Sequence, residues 1–150
     1  MTLSEAPLQI ATIERALAPC LRRQPIASAW LYGSVARGEA RRGSDVDLGV
    51  LFAEHLQSDR RRVLQDLERA AGKALAGTAL SVADLEQAPL LLQHRVLRDG
   101  VLLVESDPGA RSRFAARVLE AFCATGAVRN SFDSATRYRL AHGEPPRGSG

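Results

Sequence analysis

Residues 45 to 52 alternate sharply. Asp45, Asp47 and Gly49 fall on one side of an extended chain, and Val46, Leu48 and Val50 fall on the other. The segment reads as a strand with one apolar face, and that face needs a covering layer. The other face holds two carboxylates, which cannot be buried against helices without neutralisation. It must line a cleft or hold a cation.

The rest of the chain supplies the layers. Residues 4–22 read as an amphipathic helix, with Ile10, Ile13, Leu17 and Leu21 at helical spacing. Pro19 is expected to distort or end that helix near Cys20. After Pro25, residues 26–32 form a strand carrying Trp30 and Tyr32. Gly33-Ser34 follows at once, then a short helix over 35–39 and a basic, Gly-containing turn over 40–44. Residues 58–75 read as a helix, with Val63, Leu64, Leu67, Ala70, Ala71 and Leu75 as its apolar stripe. Ser58 is its expected N-cap and Gly77 its stop.

Residues 78–83 and 100–104 read as two further strands. Residues 89–98 form a helix with Pro89 in its first turn. Residues 108–124 form a long final helix, with Phe114, Val118, Leu119 and Phe122 on one face. A weak helical segment follows at 130–140, and the Gly/Pro-rich residues 141–150 read as disordered. Strands alternate with helices, so the fold class is α/β (α+β): a small mixed sheet of about four strands flanked by helices. The expected organisation is one domain over 1–127 and an extension over 128–150, without internal repeats.

Composition narrows the setting. The 150 residues are 45% hydrophobic and 25% charged, ordinary for a globular domain that needs no disulfide staple. The longest apolar runs, at 88–92 and 101–104, are far too short to span a membrane. The N-terminus lacks the basic start and apolar middle of a secretory signal, which makes the cytoplasm the expected location. Cys20 and Cys123 sit in apolar helical segments and are expected to be buried free thiols. His55, His94 and His142 are scattered, which argues against structural zinc. The net charge of +3 points weakly to anionic partners. Lys73 is the only lysine; the excess of arginine fits an arginine-favouring codon usage.

The chemistry concentrates between Leu31 and Leu51. Gly33-Ser34 is followed by ten residues and then by Asp45-Val46-Asp47. A glycine ending a strand and a serine opening a helix aim backbone N–H groups and a hydroxyl at one spot, which suits a phosphate. Asp45 and Asp47 project from one strand face and repel each other unless a cation sits between them. Mg²⁺ held by one or two carboxylates and by phosphate oxygens meets that need. A phosphate cradle beside a carboxylate pair is the minimal kit for metal-assisted nucleotidyl transfer.

These residues resemble the signature of the minimal nucleotidyltransferases of the DNA polymerase β superfamily. Ala36-Arg37-Gly38 and Ser44-Asp45-Val46-Asp47-Leu48 match the style of that group. The chain is especially similar to the MNT-type antitoxins that pair with HEPN ribonuclease toxins. Leu85-Glu86-Gln87-Ala88-Pro89 and Asp99-Gly100-Val101-Leu102-Leu103 resemble the family's second half more loosely, so the likeness spans residues 26–105. It implies a polymerase β-like nucleotidyltransferase fold. It also implies that Gly33, Ser34 and Arg37 bind the nucleotide, and that Asp45 and Asp47 are the catalytic, Mg²⁺-ligating acids. ATP would be the substrate and a HEPN-type toxin the partner in a hetero-oligomer, with no direct nucleic-acid binding. Arg41 and Arg42 would face solvent or partner.

The chain departs from the family in one place. A third carboxylate usually sits on the next core strand, and alignment of Leu85 and Ala88-Pro89 puts Ser81 there. Asp84 has the wrong strand parity if the strand stays regular and reads as a helix N-cap, unless a turn at Ala83 brings it to the site. Three functions therefore stay open. The first is an antitoxin enzyme that transfers AMP from ATP to a hydroxyl, a tyrosine by preference, of a HEPN toxin. The second is an antitoxin that neutralises by contact, which Ser81 favours, with Arg111, Arg113, Arg117 and Arg129 facing an acidic partner or solvent. The third is a small-molecule nucleotidyltransferase, which would call for an extra helical acceptor domain that these 150 residues are not expected to hold.

Overall fold

The computed structural model describes residues 9–39, 45–56 and 59–125. Helix α1 (Ile10–Arg22) leads into strand β1 (Ile26–Tyr32) and a single helical turn, α2 (Gly33–Ala36). Strand β2 (Val46–Phe52), helix α3 (Arg60–Ala74) and strand β3 (Leu80–Asp84) come next. A 3₁₀ turn over Leu85–Gln87 precedes helix α4 (Leu90–Asp99), strand β4 (Val101–Glu105) and helix α5 (Pro108–Ala124).

The strands form one sheet in the order β3-β2-β1-β4. β1 runs antiparallel to both β2 and β4, and β2 runs parallel to β3. The parallel pair requires a crossover, which α3 provides. The mixed α/β sheet of four strands expected from the sequence is thus the observed fold.

Both sheet faces are covered, which explains why β1 is buried over six of its seven residues. One face packs Ala29, Leu31, Val46, Leu48, Val50 and Phe52 against Ile13, Leu17 and Leu21 of α1 and Leu67 and Ala71 of α3. The other packs Trp30 and Leu51 against Val96 of α4 and Ala110, Phe114 and Val118 of α5. Each fully buried Leu or Val contributes roughly 1.5–3 kcal/mol. The acid-bearing face of β2 is therefore open only at its start. Beyond Asp47 it closes over Gly49, where a β-carbon would come within 2.9 Å of Leu85 Cδ2. Leu85 itself is fully buried.

Several local expectations shift. Helix α1 contains Pro19 and continues to Arg22. Leu17 and Leu21, both buried, hold the turns on either side of the proline against the sheet. The turn after Tyr32 begins at Gly33, earlier than the expected 35–39. α3 starts after Asp59, whose φ of 63 sets the entry turn. β3 starts at Leu80 because Ala76 and Gly77, both at positive φ, carry the chain round first. Pro89 precedes α4 as its N-cap. α5 runs as expected, with Asp107 accepting a hydrogen bond from the Ala110 N–H at 3.1 Å.

The thiols correct the sequence reading. Cys20 is half-buried and donates to the Leu17 carbonyl at 3.1 Å, and burial pushes its thiol up. Cys123 is exposed, because it lies off the helix face that buries Ala110, Phe114 and Val118. The α5 arginines bond within the chain: Arg111 with Glu105, Arg113 with Glu54, and Arg117 with Glu86 at 3.9 Å. Among the described residues no helix is long and apolar enough to cross a membrane. The expectations for residues 1–8, 40–44 (with Arg41 and Arg42), Ser58, Arg129 and the segments 130–140 and 141–150 lie outside the described residues.

Candidate active site

The site forms where β1 ends and β2 begins. β1 stays buried through Leu31, and Tyr32 is still extended. Gly33 then turns the chain at φ +75, a conformation that favours glycine. Val35, 1% exposed, pins the α2 turn into the core. The Glu39 N–H returns to the Ser34 carbonyl at 2.9 Å and closes the loop.

This turn sits against the acid strand. A β-carbon at residue 33 would overlap Asp47 Oδ2 and lie 3.3 Å from its Cγ. The Gly-Ser turn and the second acid of the Asp-x-Asp pair are thus in direct contact. Asp45, one residue before β2, is exposed; Asp47 is half-buried. Ser34 is half-buried in the α2 turn. Arg37 is exposed and pairs with Glu39 at 3.0 Å, while its charge still reaches Asp47. The five predicted residues gather at one end of the sheet.

Electrostatics describes a site short of positive charge. Burial, then the Asp45 charge, push the Asp47 carboxyl above its usual range, and Arg37 offsets them only in part. Tyr32 is the cross-strand partner of Asp47, and burial and Asp47 push its phenol up as well. A carboxylate held up in this way gains from any cation placed beside it.

Across the sheet, Asp47 is flanked by Tyr32 on β1 and by Ser81 on β3. Register partners project from the same face, so Ser81 stands where a third carboxylate would meet the pair. Asp84 does not substitute. Its carboxylate accepts from the Glu86 N–H at 3.1 Å, as an N-cap does, and pairs with Arg60 at 3.3 Å. Among the described residues, no group of three His, Cys, Asp or Glu side chains is arranged to hold a metal. Two carboxylates plus ligand oxygens still suit Mg²⁺, which keeps waters and takes phosphate oxygens.

Beside the acids lies a cleft of about 220 Å³, lined by Tyr32, Gly33, Ala36, Arg37, Leu92, Arg95 and Asp99. Sequence reasoning missed the α4 wall. Leu92, Arg95 and Asp99 are spaced to share one helix face. That face became visible as part of a site only once the sheet order placed α4 beside the Gly33 turn.

Residues 16–109 match the family model described as polymerase beta, nucleotidyltransferase. A crystal structure of a toxin–antitoxin with AMP-PNP aligns with a TM-score of 0.64 at 24% identity, covering 83% of this chain and 98% of that one. A structure of a tri-AMPylated HEPN toxin from Shewanella oneidensis in complex with its MNT antitoxin aligns with a TM-score of 0.60 at 21% identity. It covers 85% of this chain and 98% of that one. At these identities the likeness establishes the shared fold. No curated protein matches the chain.

Proposed function

Because this chain belongs to the polymerase beta nucleotidyltransferase family, we propose that it is an antitoxin that transfers AMP from ATP to a tyrosine hydroxyl of a HEPN ribonuclease toxin. The observation that carries this reading is the contact between the Gly33 turn and the Asp47 carboxylate. It joins a phosphate cradle to an acid pair at one point of the sheet. The similar solved complexes support the choice of acceptor, since one of them holds an AMPylated HEPN toxin beside its antitoxin.

In this reading Asp45 and Asp47 would hold Mg²⁺, which would supply the positive charge that the raised Asp47 carboxyl lacks. Gly33 leaves room for the phosphates to approach the acids, and Ser34 adds a hydroxyl donor. Arg37 stands on the phosphate side of the cleft and balances part of the charge of the triphosphate. The attacking tyrosine oxygen bonds to the α-phosphorus, and pyrophosphate leaves with the electron pair of the broken P–O bond. The phenolic proton passes to water, since the third-carboxylate position holds Ser81. An AMP group on the toxin blocks RNA phosphates by bulk and by like charge.

Ser81 favours a second reading, in which the protein neutralises its partner by binding alone. The test is an intact mass spectrum of the cognate HEPN protein after incubation with this protein, ATP and Mg²⁺. Mass added in whole AMP units, and lost with Asp45→Ala, supports transfer. A stable complex with no added mass supports neutralisation by contact.

A further inference from the structure

The cleft between α2 and α4 has an unassigned wall, and its charge says which part of a nucleotide it takes. Its volume of about 220 Å³ is below the roughly 300–1,000 Å³ of a pocket that encloses a whole ligand. It therefore accepts either a base or the outer phosphates.

Three charged groups decide between them. Asp99 is already claimed by Arg98, which reaches it through two nitrogens at 2.8 to 3.1 Å. Arg37 lines the cleft and pairs with Glu39, and its charge also reaches both Asp47 and Asp99. Arg95 forms no ion pair among the described residues, and it lines the cleft from α4. The cleft thus adjoins Asp47 across Gly33, and Arg95 is the cation on its α4 wall that Asp99, bound to Arg98, does not neutralise. A base would offer the exposed Arg95 guanidinium only neutral acceptors or a stacking face and would leave its charge uncompensated. A phosphate tail satisfies it, in the fork geometry that arginine favours.

We infer that Arg95 binds the outer phosphates of the nucleotide, so that the leaving pyrophosphate lies under α4 and the nucleoside points away from it, towards Ser81. The inference rests on the nucleotidyl-transfer reading. Arg95 is then a group that takes up negative charge as the bond between the α-phosphorus and the bridging oxygen breaks. It belongs to no part of the Gly-Ser or Asp-x-Asp signature.

The test measures binding of MgATP, Mg-pyrophosphate and AMP to the full-length protein by calorimetry. Arg95→Ala should weaken MgATP and Mg-pyrophosphate alike, by roughly 10- to 100-fold, and leave AMP unchanged. Arg95→Lys should fall between the two. Arg69→Ala, an exposed arginine on α3 paired with Asp66, is the control for net charge and should change nothing. Weakened AMP with unchanged pyrophosphate would put the base under α4 and overturn the inference while sparing the function. Unchanged binding of all three by Arg95→Ala would overturn it as well. If the unaltered protein binds neither MgATP nor Mg-pyrophosphate, the functional reading and this inference fail together.

Discussion

The Asp47 carboxylate fills the space that a β-carbon on residue 33 would need. Two constraints therefore meet at Gly33: a φ of +75 and the absence of room. Gly38 shares the first constraint, at φ +73, but nothing lies within 4 Å of its missing β-carbon. Gly33→Ala should cost about 1–3 kcal/mol from backbone strain alone, with the clash added. Gly38→Ala should cost only the strain. Thermal melts of the two variants separate the terms, and adding Asp47→Ala to Gly33→Ala should restore part of the loss. Equal melting temperatures for the two single variants would show that the turn does not touch the acid.

Asp47 makes the fold weaker at neutral pH than it would otherwise be. Its folded carboxyl is held above the ordinary value of 3.8, first by burial and then by Asp45. Below that value the group is protonated in both states and imposes no penalty. As pH rises through the raised folded value the site must ionise in a poor environment, and that part of the stability is lost. Asp47→Asn should therefore melt higher than the native protein at pH 7, with the gap closing as pH falls towards 4. Mg²⁺ should raise the melting temperature of the native protein and leave the variant unmoved. A gap of constant size across that range would contradict the assigned origin of the shift.

Much of this arrangement was legible in the residues, for identifiable reasons. Alternation around Val46, Leu48 and Val50 and the helical spacing of Leu67 and Ala71 are local patterns, and they located the central strand and its crossover helix. The acid pair and the Gly-Ser turn are short motifs whose meeting point follows from β1 pairing with β2. What was hidden depends on distant packing. Nothing near Leu92, Arg95 or Asp99 announces that α4 stands over the Gly33 turn. Likewise, the α5 arginines look free in the sequence because their partners Glu54 and Glu86 lie on elements far away along the chain. Cys123 reads as buried because its neighbours are apolar, but it lies off the face of α5 that carries Ala110, Phe114 and Val118.

Ser28 is the one buried polar residue among those described in the core, and its hydroxyl has no hydrogen-bond partner. It sits in the middle of β1, opposite Leu51 and Glu105, beside an irregularity in the β1–β2 register. An unsatisfied buried hydroxyl costs about 1–3 kcal/mol. Ser28→Ala removes that cost and leaves only a small void, so it should be stabilising by about 1 kcal/mol. Chemical denaturation reads this directly. A loss of stability would mean that the hydroxyl is satisfied in solution, by water or by a shift of the strand.

Ser81 offers the sharpest test of the site, because it is the register partner of Asp47 and is exposed on the same face. Ser81→Asp places a third carboxylate beside the pair. Without metal, the added like charge should push the Asp47 carboxyl further up and lower the melting temperature at pH 7. With Mg²⁺, the extra ligand should tighten ion binding by roughly tenfold and more than recover that loss. If transfer by the native protein is slow because the position lacks a base, AMP transfer to the partner should accelerate together with Mg²⁺ affinity. Tighter Mg²⁺ binding without faster transfer would assign the missing carboxylate to the metal and leave the proton to water. A variant with unchanged Mg²⁺ affinity and unchanged melting temperature would show that residue 81 does not share the site with Asp47, and the third-carboxylate alignment would be wrong.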